Sequence, residues 1–398
     1  MRRAGPNARV LTADGGGSAL ERLAPYLENA AQAAAVADAA ALVVDEPGAG
    51  AAELVAALRS AGAFAHADET RLVFAGTRAA LAGAAGRIAG DARALADELM
   101  RAFDANRERP IQLRLRGRVL DLGARARIMG ILNVTPDSFY DGGRFDGVDR
   151  ARARAAELVA LGAEIIDIGG QSYSGANPRI GAREERERVE PVVAALVRDG
   201  LGVPLSVDTF KSDVAEAALA AGADLINDCS GLSDEKLAAT VARYDAGLVV
   251  MHLKGELNRR EADYPYEDAL GEILGALRDL TERALAAGVS REGILVDPGL
   301  EFGKEPGTDL EILERFGDLR SLGFPILFAA SRKRFIGRVF NRPARELLVP
   351  SLAAAALGIA AGARVVRVHD VAETSALVRM LAVVQRENRL RHEFAPPA

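Results

Sequence analysis

The sequence predicts an α/β protein in which a (β/α)8 barrel follows a small N-terminal α/β domain. The chain has 398 residues, which suits two domains, or one large barrel with an appendage, at roughly 100–200 residues per domain. Its hydrophobic content of 49% and charged content of 27% are those of an ordinary globular protein. After Arg127, short apolar runs alternate repeatedly with amphipathic helical patterns, and this alternation predicts the barrel.

The first 109 residues are rich in Ala and Gly and are predicted to form the small α/β domain. Apolar runs at Ala41–Val44 and Arg71–Phe74 predict strands, and the patterns at Ala51–Ala61 and Asp91–Phe103 predict helices. This part of the sequence has no cluster of His, Asp, Glu and Lys, so we assign it no chemistry. The polar segment Asn106–Pro110 ends in proline and marks the predicted boundary.

A β-hairpin is predicted directly after this boundary. The segment IQLRLRGRVLDLG, residues 111–123, alternates apolar and polar residues on either side of Arg116 and Gly117. We assign the hairpin to the barrel domain, residues 110–392, and the last residues, 393–398, to a tail.

Eight apolar runs are predicted to be the parallel strands of the barrel. Helical patterns separate them, so the connections are long enough for right-handed crossovers. Eight such units in about 265 residues match a (β/α)8 barrel better than a doubly wound sheet of five or six strands. The predicted strands are residues 128–134, 164–169, 204–208, 224–228, 247–252, 294–298, 325–330 and 364–369, and the helical patterns include Arg150–Leu161, Glu184–Val197, Asp213–Ala221 and Leu352–Ala361.

Polar or ionisable residues close nearly every predicted barrel strand. Strands covered on both faces should be almost continuously apolar, and in a barrel their carboxyl ends converge on one mouth, where active sites are built. A single Asp or Asn could equally cap the next helix, and His252 alone is better interpreted as a buried, hydrogen-bonded histidine. As a set, however, they indicate a functional rim that comprises Asn133, Asp167, Asp208, Asn227, Asp228, His252, Asp297, Arg367 and His369.

One side of this rim suits a flat nitrogen heterocycle. Asp208, Asn227 and Asp297 offer carboxylate and amide groups. A carboxylate matches an edge that carries an amino group and a ring N–H, because it can accept two parallel hydrogen bonds.

The other side of the rim suits an anion. The run Ser331–Arg334, together with Arg367 and His369, gathers cations after the seventh and eighth strands, where barrels of this type commonly bind phosphate. For Arg332 and Arg334 the alternative is a solvated basic turn, an interpretation that suits one of the two. Lys333 is more specific, because arginine dominates the basic residues of this chain and a lysine there supplies a compact point charge.

Over about residues 110–390 the chain resembles the dihydropteroate synthases. Eight separated motifs follow in the order of that family, and barrel geometry alone would not produce them. The resemblance implies a transferase of folate biosynthesis that condenses 6-hydroxymethyl-7,8-dihydropterin diphosphate with 4-aminobenzoate to give dihydropteroate and diphosphate. The motifs are MGILNVTPDSFYDGGRF (129–145), IIDIGGQS (165–172), VDTFK (207–211), INDCSG (226–231), MHLKG (251–255), DPGLEFGK (297–304), SRKRFIG (331–337) and RVHDV (367–371).

The resemblance also implies a role for particular residues. Asn133 is expected to bind Mg²⁺, the implied cofactor, which prefers oxygen ligands and keeps several waters. Stabilisation of the departing diphosphate, rather than a protein nucleophile, is expected to drive C–O cleavage. The implied catalytic residues are Lys333, Asp208 and Arg367, and the implied substrate-binding residues are Asp208, Asn227, Asp297, Phe302, Ser331, Lys333, Arg367 and His369, with the aminobenzoate near Phe302 and the Ser331–Lys333 loop.

The chain departs from the family pattern at positions that bear on the substrates. Tyr173–Pro178 stand where the family usually has Thr-Arg-Pro-Gly after a serine, so a guanidinium near the aminobenzoate is lost unless Arg179 or Arg183 replaces it. Glu301 replaces the glycine that usually precedes Phe-Gly-Lys.

Two other functions remain open at the level of sequence. A catalytically weak paralogue would bind pterin in a binding or regulatory role, and the altered segment Tyr173–Pro178 favours it. A methyltetrahydrofolate-dependent methyltransferase barrel would need neither the diphosphate site nor the Ser331–Lys333 loop, and no cobalamin-binding segment is identifiable.

Composition limits the partners and the compartment. The formal net charge of −6 gives no electrostatic signature of nucleic-acid binding, and no apolar run in the sequence is long enough to span a bilayer. A single cysteine cannot form an intrachain disulfide, so we expect a cytoplasmic protein whose partners are small-molecule substrates. The resemblance suggests a homodimer formed through the later barrel helices, including the Ala-rich face of Leu352–Ala361.

Overall fold

The computed structural model describes residues 8–10, 40–45, 47–69, 71–107, 112–135, 144–171, 179–257 and 264–390. The chain divides into two compact units. The first unit also includes two segments beyond the predicted domain of residues 1–109. They lie far along the sequence, but they pack with residues of that domain. The first unit holds Met1–Arg109, Asp268–Gly275 and Arg315–Phe324, and the second holds Pro110–Glu267, Ala276–Glu314 and Pro325–Ala398.

The described part of the first unit is a four-stranded antiparallel sheet, in the order β1-β2-β4-β3, with helices between its strands and after them. The predicted strands and helices are all present, and two short strands are additional: β1 pairs with β2, and β3 pairs with β4. The strands are β1 (Ala8–Val10), β2 (Ala40–Asp45), β3 (Phe64–Ala67) and β4 (Arg71–Gly76), and the helices are α1 (Ala51–Ser60), α2 (Arg78–Ala85) and α3 (Gly90–Arg107).

The core of this unit lies between the sheet and its helices. Leu54 and Leu58 of α1, Phe74 of β4, and Leu95 and Leu99 of α3 are all buried in one hydrophobic cluster. Their spacing of four residues on each helix puts each pair on one face, which is why these helices form with an apolar side.

The second unit begins with the predicted hairpin, in which β5 (Gln112–Leu115) pairs antiparallel with β6 (Arg118–Asp121). The turn residues Arg116 and Gly117 have φ angles of 43° and 78°. Positive φ at both central residues is the geometry of a two-residue hairpin turn that matches the twist of the strands.

Eight parallel strands then close into a barrel, as the sequence predicts, with the last strand paired to the first. Each predicted strand agrees with the observed one to within two residues at either end. The strands are β7 (Arg127–Asn133), β8 (Ile165–Gly169), β9 (Leu205–Asp208), β10 (Leu225–Asp228), β11 (Gly247–Met251), β12 (Ile294–Asp297), β13 (Ile326–Phe328) and β14 (Ala363–Val368).

Helices connect successive barrel strands, and every sequence pattern that predicts a barrel helix corresponds to one of them. Among the described residues, none of the helices is long and apolar enough to cross a membrane. The helices are α4 (Arg144–Ala160), α5 (Ala182–Arg198), α6 (Ser212–Ala221), α7 (Leu237–Arg243), α8 (Ala269–Ala286), α9 (Pro306–Glu314), α10 (Arg334–Phe340), α11 (Leu348–Ala360) and α12 (Val371–Leu390).

The hairpin packs its apolar side chains against the barrel interior. Leu113 and Leu115 are fully buried in a cluster with Met129, Leu225 and Val249 of the barrel strands. The hairpin therefore fills the end of the barrel where the strands begin and leaves the carboxyl ends of the strands for a site.

Candidate active site

The polar ends of neighbouring barrel strands lie in register with one another. Asn133 of β7 pairs with Gly169 of β8, Gly169 with Asp208 of β9, and Asp208 with Asn227 of β10. A Cβ atom on Gly169 would lie 3.3 Å from Asn133 Oδ1 and 3.9 Å from Asp208 Cβ, so this glycine keeps the space between the two side chains open.

Arg367 lies on β14, the strand that pairs with β7 on its other side, and it contacts this row of side chains. Its Nε donates to Asp167 Oδ2 at 2.6 Å, and its NH2 donates to Asp208 Oδ2 at 2.8 Å. Asp167, which is fully buried, also accepts hydrogen bonds from Ser206 Oγ at 2.5 Å and Asn227 Nδ2 at 3.2 Å. Burial works against the charge of Arg367, but these two carboxylates outweigh it and raise the pKa of Arg367.

Asp167 is the functional residue to which sequence reasoning gave no role. It was placed on the rim, yet the structure makes it the hydrogen-bonding partner of Arg367 and Asn227 together. The signal in the sequence was its position inside β8, where a carboxylate interrupts an otherwise apolar, fully buried strand. Such a buried acid needs polar partners, which must come from distant segments.

Asp297 ends β12 and is 5% exposed. Its Oδ1 accepts the Gly299 N–H at 2.7 Å. Burial raises the pKa of Asp297, while the positive charges of Lys333, Lys304 and Arg367 act in the opposite direction. Asp297 therefore lies in the same electrostatic environment as Arg367, although no hydrogen bond joins the two among those described.

Lys333 lies beside the loop that follows β12. Its Nζ donates to the Leu300 carbonyl oxygen at 2.7 Å and lies 5.1 Å from the centre of the Phe302 ring. Lys333, Phe302 and Asp297 are thus grouped at one part of the barrel mouth.

Ser331 and His369 form a second small group after β13 and β14. Ser331 Oγ lies 3.1 Å from His369 Nδ1 and accepts the His369 backbone N–H at 3.2 Å. Desolvation and the nearby charge of Arg367 lower the pKa of His369, so the imidazole is neutral at pH 7.

His252 has a structural role, which is what the sequence suggests when this histidine is considered alone. The side chain is buried, and Lys304 Nζ lies 2.9 Å from its Nδ1. Lys304 also donates to the carbonyl oxygens of Gly299 and Phe302, at 2.8 and 3.0 Å. Burial and the charge of Lys304 lower the pKa of His252, so the histidine is neutral at pH 7. The hydrogen bonds of Lys304 tie this pair to the loop after β12.

Asp228 is a second rim residue with a structural role. Its Oδ1 accepts the Ser230 N–H at 2.9 Å, and its Oδ2 accepts the Leu232 N–H at 2.6 Å. These bonds form a local turn after β10, which is the alternative reading of a polar residue at a strand end.

The cations of the run 331–334 differ in their contacts. Arg332 makes a bidentate pair with Asp370 at 2.7 and 2.8 Å and donates to the Ala344 carbonyl oxygen at 2.9 Å. Arg334 is about half exposed, and its Nε lies 3.7 Å from Glu301. The contacts of Arg332 therefore stabilise the loop after β13. Lys333 is the cation of this run that lies beside Phe302.

The two arginines proposed as replacements for the missing guanidinium also differ. The altered segment Tyr173–Pro178 lies outside the described residues. Arg183 projects from α5 with 93% of its side chain exposed and pairs with the next turn of its own helix. Arg179 NH2 donates to the Leu257 carbonyl oxygen at 2.6 Å, and Leu257 packs in a small apolar cluster that Phe302 borders. Only Arg179 of the two is therefore tied to residues of the mouth.

The residues present suit a cation that takes few protein ligands. Among the residues that the structure describes, no group of three or more His, Cys, Asp and Glu side chains could hold a metal ion. Asn133 is an exposed residue at the mouth and has its amide oxygen next to Gly169. A hard cation such as Mg²⁺ fits this donor, because it keeps several waters and takes its other ligands from phosphate.

Known proteins resemble this chain both in sequence and in structure. Residues 129–369 match the family model described as pterin binding enzyme. The dihydropteroate synthase of Bacillus subtilis (strain 168) is 40% identical over 266 residues, which cover 67% of this chain and 90% of that protein. The dihydropteroate synthase of Synechocystis is 40% identical over 255 residues, which cover 64% of this chain and 88% of that protein.

Solved structures match a similar share of the chain. Xanthomonas albilineans dihydropteroate synthase with 4-aminobenzoic acid has a TM-score of 0.63 and 39% identity, covering 69% of this chain and 98% of that one. The complex of that enzyme with 7,8-dihydropteroate has a TM-score of 0.60 at 39% identity, with the same coverage of 69% and 98%.

Proposed function

The chain belongs to the pterin binding enzymes and, among them, to the dihydropteroate synthases, and from this premise we propose how its barrel performs the reaction. It is a transferase of folate biosynthesis that condenses 6-hydroxymethyl-7,8-dihydropterin diphosphate with 4-aminobenzoate to give dihydropteroate and diphosphate. The observation on which the residue roles rest is that Arg367 joins Asp167 and Asp208 at the barrel mouth, beside Asn227.

The pterin ring is proposed to bind against Asp208, Asn227 and Asp297. Each of the two carboxylates can accept the amino and ring N–H groups of a pterin edge, and Asn227 can both donate and accept. Their burial strengthens these bonds, because a hydrogen bond is electrostatically stronger where water is excluded than in bulk water. The Gly299 N–H fixes the orientation of Asp297 before the ligand arrives.

The diphosphate is proposed to bind to Arg367, His369 and Ser331. Nε and NH2 of Arg367 are directed to Asp167 and Asp208, so the donors of NH1 are those assigned to the anion. When the C–O bond breaks, the electron pair leaves with the diphosphate oxygen, and stabilisation of that charge lowers the barrier. The amine then forms the C–N bond and loses one proton, and no covalent intermediate with the protein is required.

Mg²⁺ is proposed as the cofactor, with Asn133 as its ligand from the protein. When bound, the ion would add positive charge to the diphosphate and so favour its departure. The exposed position of Asn133 at the end of β7 and its amide oxygen support this assignment.

The second substrate is proposed to lie between Phe302 and the Ser331–Lys333 loop. Phe302 offers a ring face for the aromatic substrate, and Lys333, 5.1 Å from that ring, offers a positive charge. Arg179, held at the Leu257 carbonyl oxygen, is the arginine assigned to the substrate carboxylate in place of the missing one.

Product formation from both substrates is the experiment that tests this function. Purified chain is incubated with the pterin diphosphate and labelled 4-aminobenzoate, with Mg²⁺ or with excess chelator. We expect labelled dihydropteroate with Mg²⁺ and a large loss of rate with chelator. Undiminished turnover in chelator would remove the metal from the proposal.

The alternative of a catalytically weak paralogue is favoured by one observation, the replaced segment Tyr173–Pro178. Tight binding of the pterin diphosphate without any labelled product in the same assay would support it. A methyltetrahydrofolate-dependent methyltransferase would instead leave the Arg367 and His369 group without a use.

A homodimer and a cytoplasmic location complete the proposal. Val349 and Leu357 on α11 and Met380 and Val383 on α12 are large apolar side chains that are each more than half exposed. A second copy of the chain would bury this patch, which lies on the later barrel helices. The cytoplasmic location rests on the single, buried Cys229, which suits a reducing compartment.

A further inference from the structure

Glu301 has a backbone conformation that its residue type rarely adopts. Its φ angle is 71°, in the left-handed region, and its side chain is 7% exposed. L-residues with a long side chain pay a steric cost there, and such conformations persist where the surrounding structure holds them, commonly at functional sites. Glycine would adopt this conformation without strain.

The surrounding residues hold Glu301 through both its backbone and its carboxylate. Its N–H donates to Asp309 Oδ1 at 2.8 Å. Its Oε1 accepts the Phe335 N–H at 3.2 Å and lies 3.7 Å from Arg334 Nε. A glycine at this position would keep the first of these bonds but could not make the others.

Three consecutive residues of the loop after β12 contact the segment that carries Lys333. Leu300 accepts a hydrogen bond from Lys333 Nζ at 2.7 Å. Glu301 accepts one from the Phe335 backbone, and the Phe302 ring lies 5.1 Å from Lys333 Nζ. Of these three links, the carboxylate of Glu301 is the one that reaches the backbone beside Lys333.

We propose that Glu301 is a positioning residue that fixes Lys333 relative to Phe302. The strained backbone places the carboxylate toward α10, and its bond to the Phe335 N–H holds the start of that helix, two residues after Lys333. This inference rests on the proposed function, in which Lys333 and Phe302 face the substrates. Glu301 itself touches neither substrate, so its effect passes through Lys333.

The test compares Glu301→Gly with the wild-type chain. The glycine relieves the backbone strain and removes the carboxylate, so stability and activity should move in different directions. We expect a melting temperature at or above that of the wild type, and kcat/KM for the pterin diphosphate lowered about tenfold or more, because a small displacement of a reacting group is costly.

Two further variants separate positioning from strain. Glu301→Gln keeps an oxygen acceptor for the Phe335 N–H, so kcat/KM should stay within about threefold of the wild type, since the hydrogen bond becomes a neutral one. Asp245→Gly relieves a similar positive φ of 50° in an exposed turn before β11 and should leave kcat/KM unchanged.

The outcomes that overturn the inference are distinct from those that overturn the function. If the wild-type chain forms no dihydropteroate, the proposed function fails whatever the variants do. If the wild type is active and Glu301→Gly keeps wild-type kcat/KM, the positioning role is wrong. A Glu301→Gly variant that melts far below the wild type and loses no more kcat/KM than Glu301→Gln would also overturn it, because the carboxylate would then serve stability alone.

Discussion

Arg367 shares its guanidinium between two acids, and one of them, Asp167, is fully buried. Removing one partner from such a group leaves the others buried and uncompensated, which is far more costly than losing a surface ion pair. The same bonds fix the direction of the guanidinium, so the diphosphate that we propose to bind there would meet donors that are already oriented. At the scale of the residue, the proposal makes stability and function depend on the same side chains at Arg367, whereas it makes them separable at Asp297.

Asp297→Asn is predicted to separate affinity from stability. Burial raises the pKa of Asp297, so the folded state holds the proton more tightly than the unfolded chain. The free energy of unfolding therefore falls as the pH rises from 3.8, the ordinary pKa, through the higher pKa of the folded state. The variant should lose this pH dependence and be at least as stable as the wild type at pH 7. Its affinity for the pterin should fall by about 1–3 kcal/mol, because an amide N–H would face a ligand donor. Denaturation at several pH values and calorimetric titration measure the two effects.

Asp228→Asn is the matched control for that variant. Burial also raises the pKa of Asp228, which ends β10, two strands away from β12, but its oxygens accept backbone N–H groups of its own turn. The control should lose stability and keep the pterin affinity of the wild type. An Asp297→Asn variant with unchanged pterin affinity would remove Asp297 from the site.

Asp167→Asn is predicted to weaken the binding of the pterin diphosphate through Arg367. The variant keeps the shape of the side chain but replaces a charged acceptor for Arg367 Nε by a neutral one, and such a bond is worth about 1.5–3 kcal/mol. We expect KM for the pterin diphosphate to rise while KM for 4-aminobenzoate stays close to that of the wild type. Steady-state kinetics with each substrate varied in turn measure the two KM values. Equal changes in both KM values would contradict the prediction.

At the scale of the element, the hairpin β5–β6 depends on a glycine in the barrel. A Cβ atom on Gly247 would lie 2.2 Å from Leu115 Cδ2 and 2.8 Å from Leu225 Cδ1. Gly247→Ala should therefore displace the hairpin and lower the free energy of unfolding by about 1–3 kcal/mol, the usual cost of overpacking. Because Gly247 begins β11, at the end of the strand away from the site, kcat/KM should be unchanged.

Gly275→Ala provides the comparison for this substitution. Gly275 lies inside α8, and a Cβ atom there meets nothing within 4 Å. The alanine should stabilise the helix by up to about 1 kcal/mol through its higher helix propensity. Urea denaturation of both variants would contradict the account of the hairpin if Gly247→Ala were as stable as Gly275→Ala.

The elements of the barrel could be predicted from the sequence because each one has its own local pattern. Apolar runs closed by polar residues gave the strands, and Arg116-Gly117 gave the hairpin turn. Strands β1 and β3 were not predicted, since their three and four residues, ARV and FAHA, carry too little of any pattern. The partner of Asp167 was also out of reach, because Arg367 lies 200 residues further along the chain and only the closed barrel brings the two together.

At the scale of the whole molecule, the apolar patch on α11 and α12 predicts a dimer. Leu357→Glu combined with Met380→Glu places two charges in this patch, where both side chains are about 60% exposed. Burying unpaired charges in an interface is costly, so the double variant should sediment as a monomer. Leu161→Glu, at an exposed apolar residue after α4, should leave the mass unchanged. A wild-type chain that sediments as a monomer would refute the dimer.

A structure of the full-length chain with bound 6-hydroxymethyl-7,8-dihydropterin diphosphate tests the central claim most directly. The account predicts the amino and ring N–H edge of the pterin at hydrogen-bond distance, about 2.7–3.2 Å, from the Asp208 and Asp297 carboxylates. It also predicts the diphosphate against Arg367 and His369, with Lys333 beside the ring system. A pterin bound away from these carboxylates, or one whose diphosphate points away from Arg367, would contradict it.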